Sequence, residues 1–228
     1  MPDGADAVRL MVTDRLAEVS AAEWDACAGA ACPFVSHAFL TTLEETGCAT
    51  RETGWLPQHL LARNSEGQLL GAVPLYLKGH SYGEYVFDWG WADAYEEARG
   101  RYYPKLQACV PFTPVTGPRL LVHPRADQAS IRALLISGLQ EVARRHGVAS
   151  LHVTFDAFLS ALTSRKRKAI RKERAKTANL GLTFRALSGD ELEVKHWDAF
   201  YDFYLSTADR KWGQPYLNLE FFHELGRR

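Results

Sequence analysis

A helical stripe of Ile131, Leu134, Leu135, Leu139 and Val142 lies between two short runs of strand character, Leu120–Val122 and Leu151–Phe155. This interleaving constrains the fold more than any other feature. Asp127 stands where the helix opens. Arg144, Arg145 and His146 suit its negative end, and Gly147 suits its stop. The same alternation runs through the rest of the chain. Val8, Leu10 and Val12 alternate as a first strand. Ser20 and Glu23 form a capping box before a short helix with Trp24, and Ser36 opens a second helix that Gly47 ends. His59–Arg63, a turn at Asn64–Gly67 and Leu69–Leu77 read as a hairpin. Pro74 interrupts its second arm, which predicts an edge or a bulge there. Glu84–Trp89 alternates like a strand and Trp91–Ala98 reads as a short helix. A long helix runs from Asp156 to about Asn179, followed by a strand at Leu182–Leu187. Asp190 and Glu193 cap a helix carrying Trp197, Phe200, Tyr201 and Tyr204, and Tyr216–Leu225 is the last helix. The fold class is α/β, with a mixed sheet flanked by helices.

At 228 residues the chain has room for one large domain or two small ones. Hydrophobic residues at 46% supply a core, and 27 basic against 27 acidic side chains argue against a protein that coats nucleic acid along its whole surface. The four cysteines form no CxxC pair, so disulfide-scaffold and zinc-ribbon architectures are not expected, and free thiols suit a reducing compartment. No run of about 18 apolar residues is present, and the first ten residues lack a signal-peptide pattern. The expected location is cytoplasmic.

Two regions carry the chemistry. The first is the stretch Ser164–Arg174, SRKRKAIRKER, followed by Lys176. Arg165, Lys166, Arg167, Lys168, Arg171, Lys172, Arg174 and Lys176 are opposed within it only by Glu173. On a helix, all but Lys166 fill an arc of about 200°. Such charge suits phosphates, which guanidinium groups bind bidentately: a nucleotide-sugar pyrophosphate, a lipid pyrophosphate at a membrane surface, or an RNA backbone. A solvated surface helix is the alternative.

The second region, 79–118, is rich in aromatics, glycine and proline. Lys78 to Asp88 brings together Lys78, His80, Ser81, Tyr82, Glu84, Tyr85 and Asp88; Lys105, Thr113, Thr116 and Arg119 follow. Polar groups fixed on such loops are typical of ligand sites. Glu84 or Asp88 could take a proton from an attacking amine, with His80 as a further catalytic candidate. The alternative is that these carboxylates cap helices or pair with Lys78, Lys105 or Arg119, and that His80 is structural. No second histidine stands at metal-ligand spacing, so no metal site is expected. Arg210, Lys211 and Trp212 close an aromatic helix, where they hold an anion or stack as a cation–π pair.

The blocks Thr53-Gly-Trp-x-Pro-x-His-Leu60, Pro74–Lys78 with His80–Asp88, Trp91–Tyr95, Tyr102–Leu106, Pro111–Arg119, SRKRKAIRKER and Arg210–Tyr216 together resemble the FemAB-like branch of the GNAT superfamily, from about residue 33 onward. The resemblance implies a tandem GNAT arrangement: residues 1–155 as a first unit, and 156–228 as the basic helix with the start of a second, incomplete unit. It implies transfer of an acyl or aminoacyl group to an amine acceptor, small molecule or peptide, with a peptidoglycan precursor as the acceptor in better understood relatives. The donor is then acyl-CoA or aminoacyl-tRNA, with no permanently bound cofactor. The sequence departs from the family where Leu151–Phe155 runs directly into the helix at Asp156, and at Arg228, beyond which the family continues. It also lacks the Gly-rich pyrophosphate loop of acetyl-CoA enzymes. Two other readings stand beside the enzyme: a non-catalytic module docking on RNA or a membrane surface through residues 165–176, and an assembly scaffold.

Overall fold

The structure, a computed structural model, describes residues 7–84, 89–153, 187, 189–211 and 215–228. Tyr85, Asp88, the basic stretch with Arg165–Lys176, Trp212, and the helix and strand expected between 156 and 186 lie outside the described residues. Eight strands and six α-helices are described: β1 (Arg9–Thr13), α1 (Ala21–Ala28), α2 (His37–Glu45), β2 (Trp55–Pro57), β3 (His59–Arg63), β4 (Leu69–Val73), β5 (Leu75–Lys78), α3 (Trp89–Glu97), β6 (Lys105–Ala108), β7 (Leu121–Val122), α4 (Gln128–His146), β8 (Leu151–Val153), α5 (Val194–Lys211) and α6 (Leu219–Arg227).

The strands form two four-stranded sheets, β1-β3-β4-β7 and β2-β5-β6-β8. All pairs are antiparallel except β6–β8, which α4 connects as a parallel crossover. Both sheets share one hairpin. Leu61 faces Ala72 in the first sheet and Pro57 faces Tyr76 in the second, one register from Trp55 to Ala62. The break falls where His59 meets Pro74. Proline has no N–H to give the ladder, and the next amide, Leu75, donates to the His59 ring Nδ1 at 3.3 Å instead of to a strand carbonyl. Pro74 interrupts the strand and divides the sheets, but the register runs through it without the expected bulge; the register shift of this hairpin falls between Ala62 and Arg63 instead. Gln58 N still reaches Leu75 O at 2.8 Å and keeps the two halves in step.

One layer of helix covers each side. Leu60, Ala62, Val73, Leu75, Leu106 and Ala108 pack on Ile131, Leu135 and Leu139 of α4. Asp127 caps α4 by accepting from Ala129 N and Ser130 N, and Gly147 ends it in the left-handed region. On the other side Trp24, Leu40, Leu43, Leu61 and Tyr76 form one core with Phe221 and Phe222 of α6.

Several local expectations are corrected. Ser20 precedes α1 but its hydroxyl caps nothing; Glu23 accepts from Arg63 and from Leu69 N instead. The Glu84–Trp89 strand is not formed at either end, because Glu84 N closes a turn onto Ser81 O and Trp89 already opens α3. A 3-10 turn at Gly189–Glu191 precedes α5, which starts at Val194. The last helix starts at Leu219 because the Tyr216 and Leu217 amides are drawn to the Tyr204 hydroxyl, at 2.7 and 3.0 Å, and Asn218 makes the cap. Strand β6 has no counterpart in the sequence reading. No described helix is long and apolar enough to cross a membrane.

Candidate functional site

Directly opposed residues of a sheet share a face. In the second sheet one row is Leu56, Leu77, Leu106 and Leu151, of which Leu77, Leu106 and Leu151 pack in the α4 cluster. The rows on either side, Trp55–Lys78–Lys105 and Pro57–Tyr76–Gln107–His152, face the other way. One face of this sheet is thus apolar and the other polar, yet the polar face is also shut away: Lys78 and Lys105 are both 0% exposed.

Burying ammonium groups is costly unless each is engaged. Lys105 Nζ donates to Glu84 Oε2 at 2.8 Å, with Glu84 itself 7% exposed. The Gln107 side-chain amide, nitrogen toward the carboxylate, reaches both Glu84 oxygens at 3.1 Å. Lys78 Nζ donates to Tyr82 O at 3.0 Å and lies 3.3 Å from the centroid of the Trp55 ring. Lys105 Nζ is 5.9 and 5.7 Å from the Tyr102 and Tyr103 rings. The Ser81 and Tyr103 hydroxyls are hydrogen-bonded. Cys109 lies just past the end of β6, its thiol pushed up to about 12 by burial, so it stays protonated.

The loop 79–84 closes over these groups. Gly83 has φ +78, and a Cβ there would lie 2.7 Å from the Phe112 ring, so only glycine fits. His80 sits against Gly54, and its Nδ1 accepts from Tyr82 N at 3.1 Å. Burial first, and the Lys78 charge second, lower its pKa, which keeps the imidazole neutral.

The structure therefore brings Lys78, Ser81, Glu84 and Lys105 into one cluster, with His80 at its rim. It realises the alternative for Glu84, a pair with Lys105. Arg119 lies on the 111–119 loop. It is 1% exposed and donates to Val115, Gly117 and Pro118 carbonyls at 2.6–3.1 Å, stapling its own loop. Thr113 and Thr116 are half-buried on that loop; Thr113 Oγ1 accepts from Val115 N. Arg210 and Lys211 end α5.

Sequence reading missed Trp55, Tyr103 and Gln107 as members. For Tyr103 and Gln107 the signal is their alternation with Lys105, visible only once β6 is recognised as a strand; Trp55, on β2, has no such signal. It also missed His59, 0% exposed, whose Nε2 lies 2.7 Å from Glu44 Oε1. Cavities of about 410 and 320 Å³ lie elsewhere, between β1 and α4 and beside Glu44 and Arg51. Among the described residues no cluster of three or more His, Cys, Asp or Glu could hold a metal ion. At the N-terminus of α4, Asp127 accepts from the Ala129 and Ser130 amides, and its hydrogen bonds to the Ser130 side chain and to these amides lower its pKa.

Three solved structures are similar at low identity. The GNAT family N-acetyltransferase YhbS of Escherichia coli, in complex with CoA, is 18% identical over 70% of this chain and 69% of that one, with a TM-score of 0.38. A Trypanosoma brucei acetyltransferase is 14% identical over 81% and 99%, with 0.36. The GCN5-related glucosamine N-acetyltransferase region of a fungal multi-domain GH3 β-N-acetylglucosaminidase is 16% identical over 90% and 25%, with 0.38. No curated protein matches the chain. The FemAB-like family, described as peptidoglycan biosynthesis/recognition, matches residues 15–157 and 154–228, two stretches that meet where the sequence runs from β8 toward the expected long helix. With more than half of its length matched in this way, the chain belongs to the FemAB-like family.

Proposed function

We propose that the protein transfers an acyl group to an amine, with its reacting centre on the polar face of the second sheet. The observation that carries this is the buried Glu84–Lys105 pair, with Gln107 on the same carboxylate and Lys78 one strand away in the same row. Family membership supports the reaction class, and the family's description supports a peptidoglycan-precursor peptide as the acceptor.

The acceptor nitrogen attacks the carbonyl carbon of the activated acyl group, and the carbonyl electron pair moves to oxygen. An ammonium held in a dry, fixed place stabilises that oxyanion far better than water does. Glu84 takes the proton lost by the attacking amine, because two donors fix where its carboxylate stands. The oxyanion's electron pair then re-forms the carbonyl, the bond to the leaving oxygen or sulfur breaks with its electrons going to that atom, the leaving group takes the proton back from Glu84, and the amide remains. The donor is an activated ester or thioester whose phosphates the 165–176 stretch would hold.

The test uses the full chain with a soluble peptidoglycan-precursor peptide as acceptor, and acetyl-CoA or aminoacyl-tRNA as alternative donors. One donor should support transfer. Glu84→Gln should lower kcat by about 100-fold or more, the ordinary contribution of a positioned base, while a melting curve confirms that the variant is folded. The reading fails if neither donor is used, or if folded Glu84→Gln keeps the full rate.

A further inference from the structure

Phe112 has φ +60, a conformation that costs an aromatic L-residue steric energy. Such a backbone persists only where its surroundings over-determine it, and here they do. The Phe112 ring stacks on Tyr216, centroids 5.5 Å apart and planes 15° from parallel. It packs against Trp55 at 5.1 Å. Gly83 lies close enough that no Cβ would fit between them. Three separate segments, β2, the 79–84 loop and the turn before α6, thus meet on one strained residue.

Each neighbour is itself held. Trp55 carries Lys78 Nζ 3.3 Å from its centroid and packs edge-on to Tyr76 at 5.7 Å. The turn is pinned twice: the Tyr204 hydroxyl accepts from Tyr216 N and Leu217 N, and Asn218 Nδ2 donates to Thr46 O at 2.7 Å. A line of ring contacts therefore runs from the turn between α5 and α6, through Phe112 and Trp55, to a buried ammonium.

We infer that Phe112 is a positioning residue: it sets the Trp55 indole beneath Lys78 and couples the 215–218 turn to that indole. The inference deepens the proposed function and rests on that reading of the cluster. Its test reads Lys78 directly and needs no turnover, so its failure is distinguishable from failure of the transfer assay.

A methylene next to an ammonium stacked on an indole resonates upfield of its position in free lysine. The Lys78 ε-methylene signal, assigned by its loss in Lys78→Arg, should therefore be displaced upfield in the native chain. Phe112→Gly tolerates the backbone angle but deletes the ring; it should move this signal toward the free-lysine position. Phe112→Tyr should restore it. Tyr216→Ala should move it in the same direction by less, and it carries the test if Phe112→Gly does not fold. Phe39→Leu, elsewhere in the same core, should change the melting temperature without moving the signal. The inference is overturned if the Lys78 signal stays in place in folded Phe112→Gly or, failing that variant, in Tyr216→Ala, or if Phe39→Leu moves it equally.

Discussion

Lys105 and Glu84 show what one buried contact demands of two residues. Each alone would be an ion in a nearly dry place, and together they are tolerated. Removing one partner leaves the other charged and buried, a loss of about 3–5 kcal/mol in comparable pairs. Lys105→Met should therefore destabilise the chain by an amount of that order. The double change Glu84→Gln with Lys105→Met should recover much of it, because no uncompensated charge remains. Urea unfolding of the two single variants and the double variant measures the coupling. A double variant no more stable than the worse single one would mean that the pair does not act as a unit. Both residues are candidates from sequence alone, because polar groups on loops shaped by glycine and proline are typical of ligand sites. The sequence leaves several pairings open, because 21 residues separate the two along the chain; the β5–β6 register sets Lys105 beside Lys78, and the 79–84 loop carries Glu84 back to it.

At the scale of elements, the bend in the central hairpin organises the rest. Pro74 predicted an irregularity from sequence because proline lacks the donor a ladder needs. What the sequence could not show is how the neighbouring amide is satisfied. His59 does it with Nδ1, while its Nε2 meets Glu44, whose other oxygen accepts from Leu16 N at 2.9 Å. His59→Leu keeps an apolar side chain in place but leaves the Leu75 N–H without its acceptor and Glu44 without one of its donors. At about 1–3 kcal/mol for each group left unsatisfied, the loss should be clear in denaturant unfolding. Hydrogen exchange at the Leu75 amide should accelerate as well. A loss below about 0.5 kcal/mol, the usual range for an inconsequential surface change, would show that the bend needs no such brace. Strand β6 was illegible for a related reason. Its residues Lys-Leu-Gln-Ala have little intrinsic strand preference, and they form a strand because β5 on one side and β8 on the other offer ladders. The α4 stripe, by contrast, was legible almost to the residue, because a long amphipathic helix with a good cap carries its own signal.

Over the whole molecule, α6 closes the same core that Trp24 and Leu40 begin, so the two ends of the described chain share one hydrophobic interior. The four cysteines sample that interior: Cys27, Cys32, Cys48 and Cys109 are all free and all buried. Desolvation pushes Cys27 up to about 11 and Cys109 up to about 12. Only a thiolate reacts readily, so a buried and protonated thiol can be labelled only when the structure around it opens. At mildly alkaline pH a disulfide reagent should leave native protein essentially unmodified and should modify four thiols in denaturant. Cys109 is the informative member, because Lys78, Glu84, Arg119 and Lys105 all act on it electrostatically and it borders the polar face of the second sheet. Mass mapping of partial labelling distinguishes two behaviours of that face. If Cys109 labels no faster than Cys27, the cluster around Glu84 opens only with the core. If Cys109 labels rapidly while Cys27 does not, the closed polar face opens by itself in the native protein, and the static enclosure of Lys78 and Lys105 is the wrong picture of the site.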